Sequence, residues 1–299
     1  MAIAPARGAA LLPVVALMFN ALVWGTSWWP LRHFEQQGLH PLWATLLVYS
    51  LSVLVILVLR PAALKQLINT PALWVLLLAA GTTNATFNWA VVIGDVVRVV
   101  LLFYLMPVWA VLLARLLLGE VLTRAACGRA ALALAGAAVV LWPDNAAGVA
   151  GWPVPRSLAD WLGVLGGFSF ALNNVMLRHQ AHRPEDGRAL AMFMGGAVVS
   201  GVLGAALARQ GLVPWPLALQ GLWCLAAFAL AGLFLIGNLA LQYGAARLRA
   251  NVTSVVMLTE VIFASVSAIA LGGGVLTAGL LLGGAMILLA AVLSGLEPA

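Results

Sequence analysis

Glu260 is the one acidic residue deep inside a long apolar run of this sequence. A carboxyl group is expensive in hydrocarbon and marks a functional position there by default. Two chemistries are open to it. It can carry a proton or anchor a substrate ammonium, or it can be a neutral carboxyl hydrogen-bonded to a neighbouring run for packing. Other polar and aromatic residues recur in the apolar runs at helical spacing. Asn20, Trp24 and Ser27 stand at i, i+4 and i+7, on one helix face. Asn84 with Asn88, Ser169 with Asn173, Phe170 with Asn174, and Asn238 with Gln242 are each four apart. Thr253, Met257 and Glu260 repeat the first spacing, and Tyr104 precedes Pro107 by three. Polar groups inside a membrane usually face the bundle interior or a wet cavity. The set predicts a central cavity that holds a small solute by ring stacking and amide hydrogen bonds. Taken singly, each Asn or Ser could equally tie two helices together.

Nothing in the sequence implies a catalytic residue, a metal or a cofactor. His33, His40, His179 and His182 sit near run ends, without an H-E-x-x-H string or a phosphate loop. Cys127 and Cys224 make no metal spacing and no disulfide framework, and each reads as a small buried apolar residue. Pro107 removes a backbone hydrogen bond in mid-run and predicts a kink suited to gating. Asp95 and Arg98, at i and i+3, read as an ion pair at the membrane face. Trp28 and Trp29 fit an interfacial aromatic belt, with Trp24 one turn deeper. Asn84-x-Thr86 and Asn251-x-Thr253 match glycosylation acceptors by pattern alone, since both fall in or at apolar runs.

The elements that must position these residues follow from composition. Of 299 residues, 64% are hydrophobic and 8% charged, against about 25% charged in a soluble domain. That excludes a soluble globular protein, a disordered chain and a nucleic-acid binder. A helix needs about 20 residues to cross the hydrocarbon. Runs of that length lie near 11–31, 41–60, 71–93, 96–118, 124–142, 158–178, 189–209, 217–242, 250–271 and 275–295. The expectation is an all-α polytopic membrane protein of ten transmembrane helices. The first run, ending in Trp28-Trp29-Pro30, reads as a retained span rather than a signal peptide. The turn-rich stretch from Pro143 to Ser157 divides the chain into 1–150 and 151–299. With a cytoplasmic N-terminus, only Arg32, Arg98, Arg156 and Arg209 of the fifteen Lys and Arg residues fall outside. That bias places both termini in the cytoplasm. Polar residues concentrate in runs one, three, four, six, eight and nine, which predicts an inner ring of those six.

The halves carry matching strings. Leu31-Arg32-His33 recurs as Leu177-Arg178-His179. Asn88-x-Ala90 with Gly94 recurs as Asn238-x-Ala240 with Gly244. Gly119-x-Val121-Leu122-Thr123 recurs as Gly273-x-Val275-Leu276-Thr277. Five spans per repeat invert the second copy, the architecture of alternating-access transporters with a site near the midplane.

Trp24-Gly25-Thr26-Ser27, Arg98 through Pro107 and Leu118-Gly119-Glu120 resemble the drug/metabolite transporter superfamily in its ten-span form of two EamA-type repeats. Departures from that pattern lie at Val261, where a proline is usual, and at Gly272-Gly273-Gly274, where a second Leu-Gly-Glu would stand. The chain is most similar to the bacterial aromatic amino acid exporter branch. The resemblance implies a multi-pass inner-membrane exporter of tryptophan, phenylalanine and tyrosine, with related amphipathic metabolites as further candidate cargo. Its implied surroundings are substrate and membrane lipid, with no nucleic-acid partner, and a monomeric state. Deep positions that are neutral or aromatic suit such cargo better than a sugar phosphate, which would need Lys and Arg. The alternatives are an exporter of drugs or purine-like metabolites, or a membrane subunit without transport. A membrane enzyme is disfavoured by the missing catalytic cluster.

Overall fold

A computed structural model describes residues 11–119, 123–142, 154–180, 184–216, 221–245 and 256–295. The side chains of Pro107, Arg178 and Gln242 and the whole of Thr253 lie outside the described residues. All the described secondary structure is helical. In hydrocarbon each backbone group must be satisfied within its own segment, so apolar runs become helices whatever their local propensity. The first half holds α1 (Leu11–Thr26), α2 (Trp28–Gln36), α3 (Pro41–Leu59), α4 (Ala62–Ile68), α5 (Pro71–Ile93), α6 (Val96–Phe103), α7 (Met106–Leu118) and α8 (Arg124–Val140). The second holds α9 (Leu158–His179), α10 (Glu185–Arg209), α11 (Gly221–Ala245), α12 (Thr259–Leu271) and α13 (Ala278–Gly295).

Among the described residues, five helical stretches are long and apolar enough to cross a membrane: Leu11–Gln36, Pro41–Leu59, Pro71–Ile93, Val96–Leu117 and Glu185–Arg209. The apolar helices Leu225–Leu241, Thr259–Leu271 and Ala278–Leu293 are shorter. Large apolar side chains cover the outside, Val58 and Leu116 among them. That surface suits lipid tails rather than water.

Local chemistry sets the helix ends. Pro41 and Pro71 open α3 and α5 at positions where a missing N–H costs nothing. Asp95 caps α6 by accepting from Arg98 N at 2.9 Å, and Thr123 caps α8 by accepting from Ala126 N at 3.1 Å. Gly119 after α7 and Gly272 after α12 both have φ of +71°, the left-handed C-cap that favours glycine. The string match pairs Gly119 with Gly273. The backbone pairs it with Gly272, one residue earlier.

Three runs are broken rather than continuous. The first turns at Ser27, the fourth at Tyr104 and Leu105, and the ninth at Leu258. Each break is tightened by an i to i+3 bond: Ser27 N to Trp24 O (3.2 Å), Leu105 N to Leu102 O (3.2 Å) and Val261 N to Leu258 O (3.1 Å). The fourth run therefore breaks just before Pro107. The link expected to be plain loop between runs two and three folds as α4. Gln66 there accepts from Gly187 N at 2.8 Å.

Helices of one half pack mainly on helices of the other. The principal pairs are α5 with α10, α5 with α9, α1 with α11, α1 with α12, α3 with α10 and α8 with α13, with α6 and α7 against α9. Small residues set the closest crossings. Gly81 of α5 meets Gly195 of α10, and Gly136 of α8 meets Gly283 of α13. A methyl on Gly136 would lie 2.7 Å from Gly283 O and 2.9 Å from Ile287 Cγ1. Gly128, two turns earlier on the same helix, has nothing within 4 Å of such a methyl. We therefore expect Gly136→Val to lose about 1–3 kcal/mol and Gly128→Ala to change stability little. Thermal midpoints of the two variants in detergent check this.

Candidate functional site

The first-run motif fills a crossing between α1, α11 and α12. Trp24 stacks on Phe234 of α11, with ring centroids 4.6 Å apart and planes 10° from parallel. Gly25 lets the backbones touch: a Cβ there would stand 2.8 Å from Glu260 O and 3.0 Å from Ala264 N. Thr26 donates back to Leu22 O at 2.7 Å, and Ser27 Oγ to Trp24 O at 2.8 Å, which serves a carbonyl at the break. Trp28 donates to Ser267 Oγ at 2.9 Å and is buried. Trp28 is thus a helix tie and not part of an interfacial belt, whereas Trp29 is half exposed.

The fourth and ninth runs meet at their breaks. The Tyr104 hydroxyl lies 3.2 Å from Glu260 Oε2 and 3.3 Å from Met257 O. Its single proton is within reach of both the carboxyl group and a carbonyl next to the interruption at Leu258. Of the two chemistries open to Glu260, hydrogen bonding to the fourth run is present.

Beside this crossing lies a cavity of about 110 Å³. Seven of the sequence candidates line it: Asn20 and Trp24 from α1, Asn84 from α5, Asn173 from α9, Asn238 from α11, and Met257 and Glu260 at the ninth run. The other candidates do other things. Ser27 closes the break in the first run. Asn88 is buried and donates to Thr45 Oγ1 at 3.1 Å, tying α5 to α3. Asn174 is exposed on the outer face of α9, one residue from the lining Asn173. Tyr104 does not line the cavity but touches lining residues, bonding to Glu260 and Met257 and packing edge-on to Phe103.

The sequence reading missed half of the wall. Tyr49 of α3 and Met192 and Phe193 of α10 line the cavity, so the second and seventh runs belong to the inner ring. Thr83 and Phe87 of α5 and Phe103 of α6 complete much of the rest, together with Phe170 of α9, which its helical spacing with Asn174 marks. The sequence carried a weak signal for one of these. Tyr49 lies in a run whose other uncharged polar residues are Thr45, Ser50 and Ser52. A lone ring in an apolar run looks like core, which is why patterning passed over them.

Charged and aromatic ties join the segments around Arg32, Asp95 and Arg98. Arg98 forms a two-pronged pair with Asp160 of α9, at 2.7 and 3.1 Å, and donates to Val140 O at 2.8 Å. Arg98 is therefore not the charge partner of Asp95. Asp95 accepts from Arg98 N and from Val275 N, each at 2.9 Å, and so holds the link after α12. Arg32 donates to Val91 O, Val92 O and Gly94 O at 2.9–3.1 Å, covering the carbonyl end of α5. The Leu-Arg-His string and the Asn-x-Ala…Gly string thus meet physically in the first half. His40, in the link before α3, packs edge-on to Trp89 at 5.1 Å. Burial lowers its pKa to about 4, so it is uncharged at neutral pH. Cys127, read as buried, is exposed on α8.

Removing Asp160 leaves Arg98 without its two-pronged partner. Asp160→Ala should cost about 2 kcal/mol, less than a fully buried pair because the Arg98 side chain is 28% exposed. Arg98→Lys keeps the charge but loses the fork and should recover only part of that stability. Thermal midpoints of both variants test this.

Comparisons with known proteins agree with this architecture. No curated protein matches the chain. One solved crystal structure superposes with a TM-score of 0.57 at 18% identity, covering 96% of this chain and 97% of its own. That likeness is one of fold. Residues 11–142 match the EamA-like transporter family, within the drug/metabolite transporter superfamily.

Proposed function

We propose that this chain is an alternating-access membrane transporter of small amphipathic solutes, with aromatic amino acids as its representative cargo. In this reading all ten apolar runs cross the membrane as two inverted five-helix repeats, residues 1–150 and 151–299. The protein sits in a bacterial inner membrane with both termini in the cytoplasm and works as an exporter. The observation that carries the reading is the cavity beside two broken helices. Discontinuous helices that meet at mid-membrane are the construction by which transporters expose polar groups to a solute. The family match of the first half supports the transporter class.

Two further observations support the repeats. Numbering the runs one to ten, run three packs on six and seven, and run eight packs on one and two. Run four packs on six, and run nine on one. Each pair maps onto another when five is added or subtracted. Breaks before Gly119 and Gly272 occupy equivalent places in runs four and nine.

The wall suits an aromatic solute with an amino group. Trp24, Phe103, Phe170 and Phe193 offer ring faces, and Asn20, Asn173 and Glu260 offer polar partners. An apolar cavity of about 150 Å³ admits benzene, so 110 Å³ must widen before a whole tryptophan enters. Met192 and Met257 are the pliant side chains that can yield. The segments tied by Arg32, Asp95 and Arg98 are the closed, outer gate of this state.

The test is uptake of labelled tryptophan into proteoliposomes, without a gradient and with a proton gradient of each sign. Saturable uptake is expected, and Trp24→Ala should raise KM by about tenfold. Uptake that depends on the gradient in wild type but not in Glu260→Gln would make Glu260 the coupling group. Unchanged kinetics in Trp24→Ala would remove the cavity from the path.

A further inference from the structure

Two residues of the cavity lining carry a buried amide oxygen without a partner, and several of the lining donors are occupied. Asn20 gives its Nδ2 to Gly237 O at 2.8 Å, and turning the amide over would set oxygen against oxygen. Its Oδ1 is therefore fixed, and it is buried without a partner. Asn173 Oδ1 is a second buried acceptor without a partner, on a residue 2% exposed. Three donors of the lining are spent elsewhere. Asn84 Nδ2 goes to Ala80 O, the Tyr49 hydroxyl to Asn84 Oδ1, and the Thr83 hydroxyl to Ala79 O, each at 2.8 Å. Glu260 is the one acid on the wall, and no Lys, Arg or His stands with it among the described lining residues.

Orphaned acceptors are costly in a buried place. Two of them on one wall, with a carboxyl group, ask for a ligand that brings N–H donors. A primary ammonium brings three, and ring faces attract its charge. A substrate carboxylate has no such welcome here, because a buried anion needs a cation or several free donors.

We infer that the recognised end of the solute is its ammonium group, held by Glu260, Asn20 and Asn173, and that no carboxylate is required. The site therefore takes arylalkyl primary amines, and binds them more tightly than the corresponding amino acids. The inference rests on the reading of this cavity as the solute site, and it names a substrate class within it.

The experiment is titration calorimetry on the purified full chain in detergent with five probes: tryptamine, tryptophan, indole-3-propionate, indole-3-ethanol and hexylamine. Tryptamine should bind at least about tenfold more tightly than tryptophan, with indole-3-propionate weakest, because the unpaired carboxylate is penalised. Glu260→Gln keeps the shape and an acceptor for Tyr104. It should weaken tryptamine by about tenfold or more and weaken the uncharged indole-3-ethanol much less. Asn173→Leu should act in the same direction; if it fails to fold, Glu260→Gln carries the test. Indole-3-propionate binding as tightly as tryptamine would overturn the inference, as would wild-type tryptamine affinity in Glu260→Gln. So would a failure of every amine to bind. Hexylamine bound without any indole would keep ammonium recognition and discard aromatic cargo. Tryptamine bound but never carried in proteoliposomes would discard transport and keep the inference.

Discussion

A helix in hydrocarbon can be interrupted only where something else satisfies the groups that the interruption frees. The contact between Tyr104 and Glu260 joins two such interruptions. One phenol lies within reach of a carboxyl group on the ninth run and of the carbonyl of Met257 beside its break. Around that contact the remaining features fall into place. Gly25 allows the first run to lie against Glu260 and Ala264 at backbone distance. The Ser27 hydroxyl serves the Trp24 carbonyl at a third break. Without a Cβ at 25 the crossing closes, and with it closed the cavity has a wall.

The cavity lies between two apolar cores. One gathers α3, the start of α5, α10 and α11; the other gathers α6, α8, α12 and α13. Tyr49 and Phe193 belong to the first, and Phe87 and Phe103 to the second. Interiors are packed and bistable rather than continuously deformable. Two cores meeting along a polar seam are therefore the natural unit for rocking motion.

Much of this was legible in the sequence because hydrocarbon imposes a simple code. Length and apolarity marked helical runs, and helical spacing of Asn20 with Trp24 marked a shared face. Glu260 stood out because an acid in such a run needs a reason. Other features were not legible, for physical reasons. Asn173 and Asn174 are adjacent and alike, and only the rotation of α9 decides which one faces inward. Arg98 and Asp95 have ideal ion-pair spacing, yet Asp95 is used as a helix cap while Asp160, sixty-two residues away, takes the guanidinium. The aromatic wall of Tyr49 and Phe193 reads as core because rings in apolar runs usually are core.

The account depends on the cavity being the place where solute sits. Its most direct test is substrate protection of single cysteines at Ala80 and Leu241, two lining positions with apolar side chains. The native Cys127 and Cys224 are replaced first. The account predicts that Ala80→Cys and Leu241→Cys react with a small maleimide and that saturating tryptamine or tryptophan slows both reactions. Equal labelling rates with and without either compound, in variants that still bind it, would place the solute elsewhere and contradict the account.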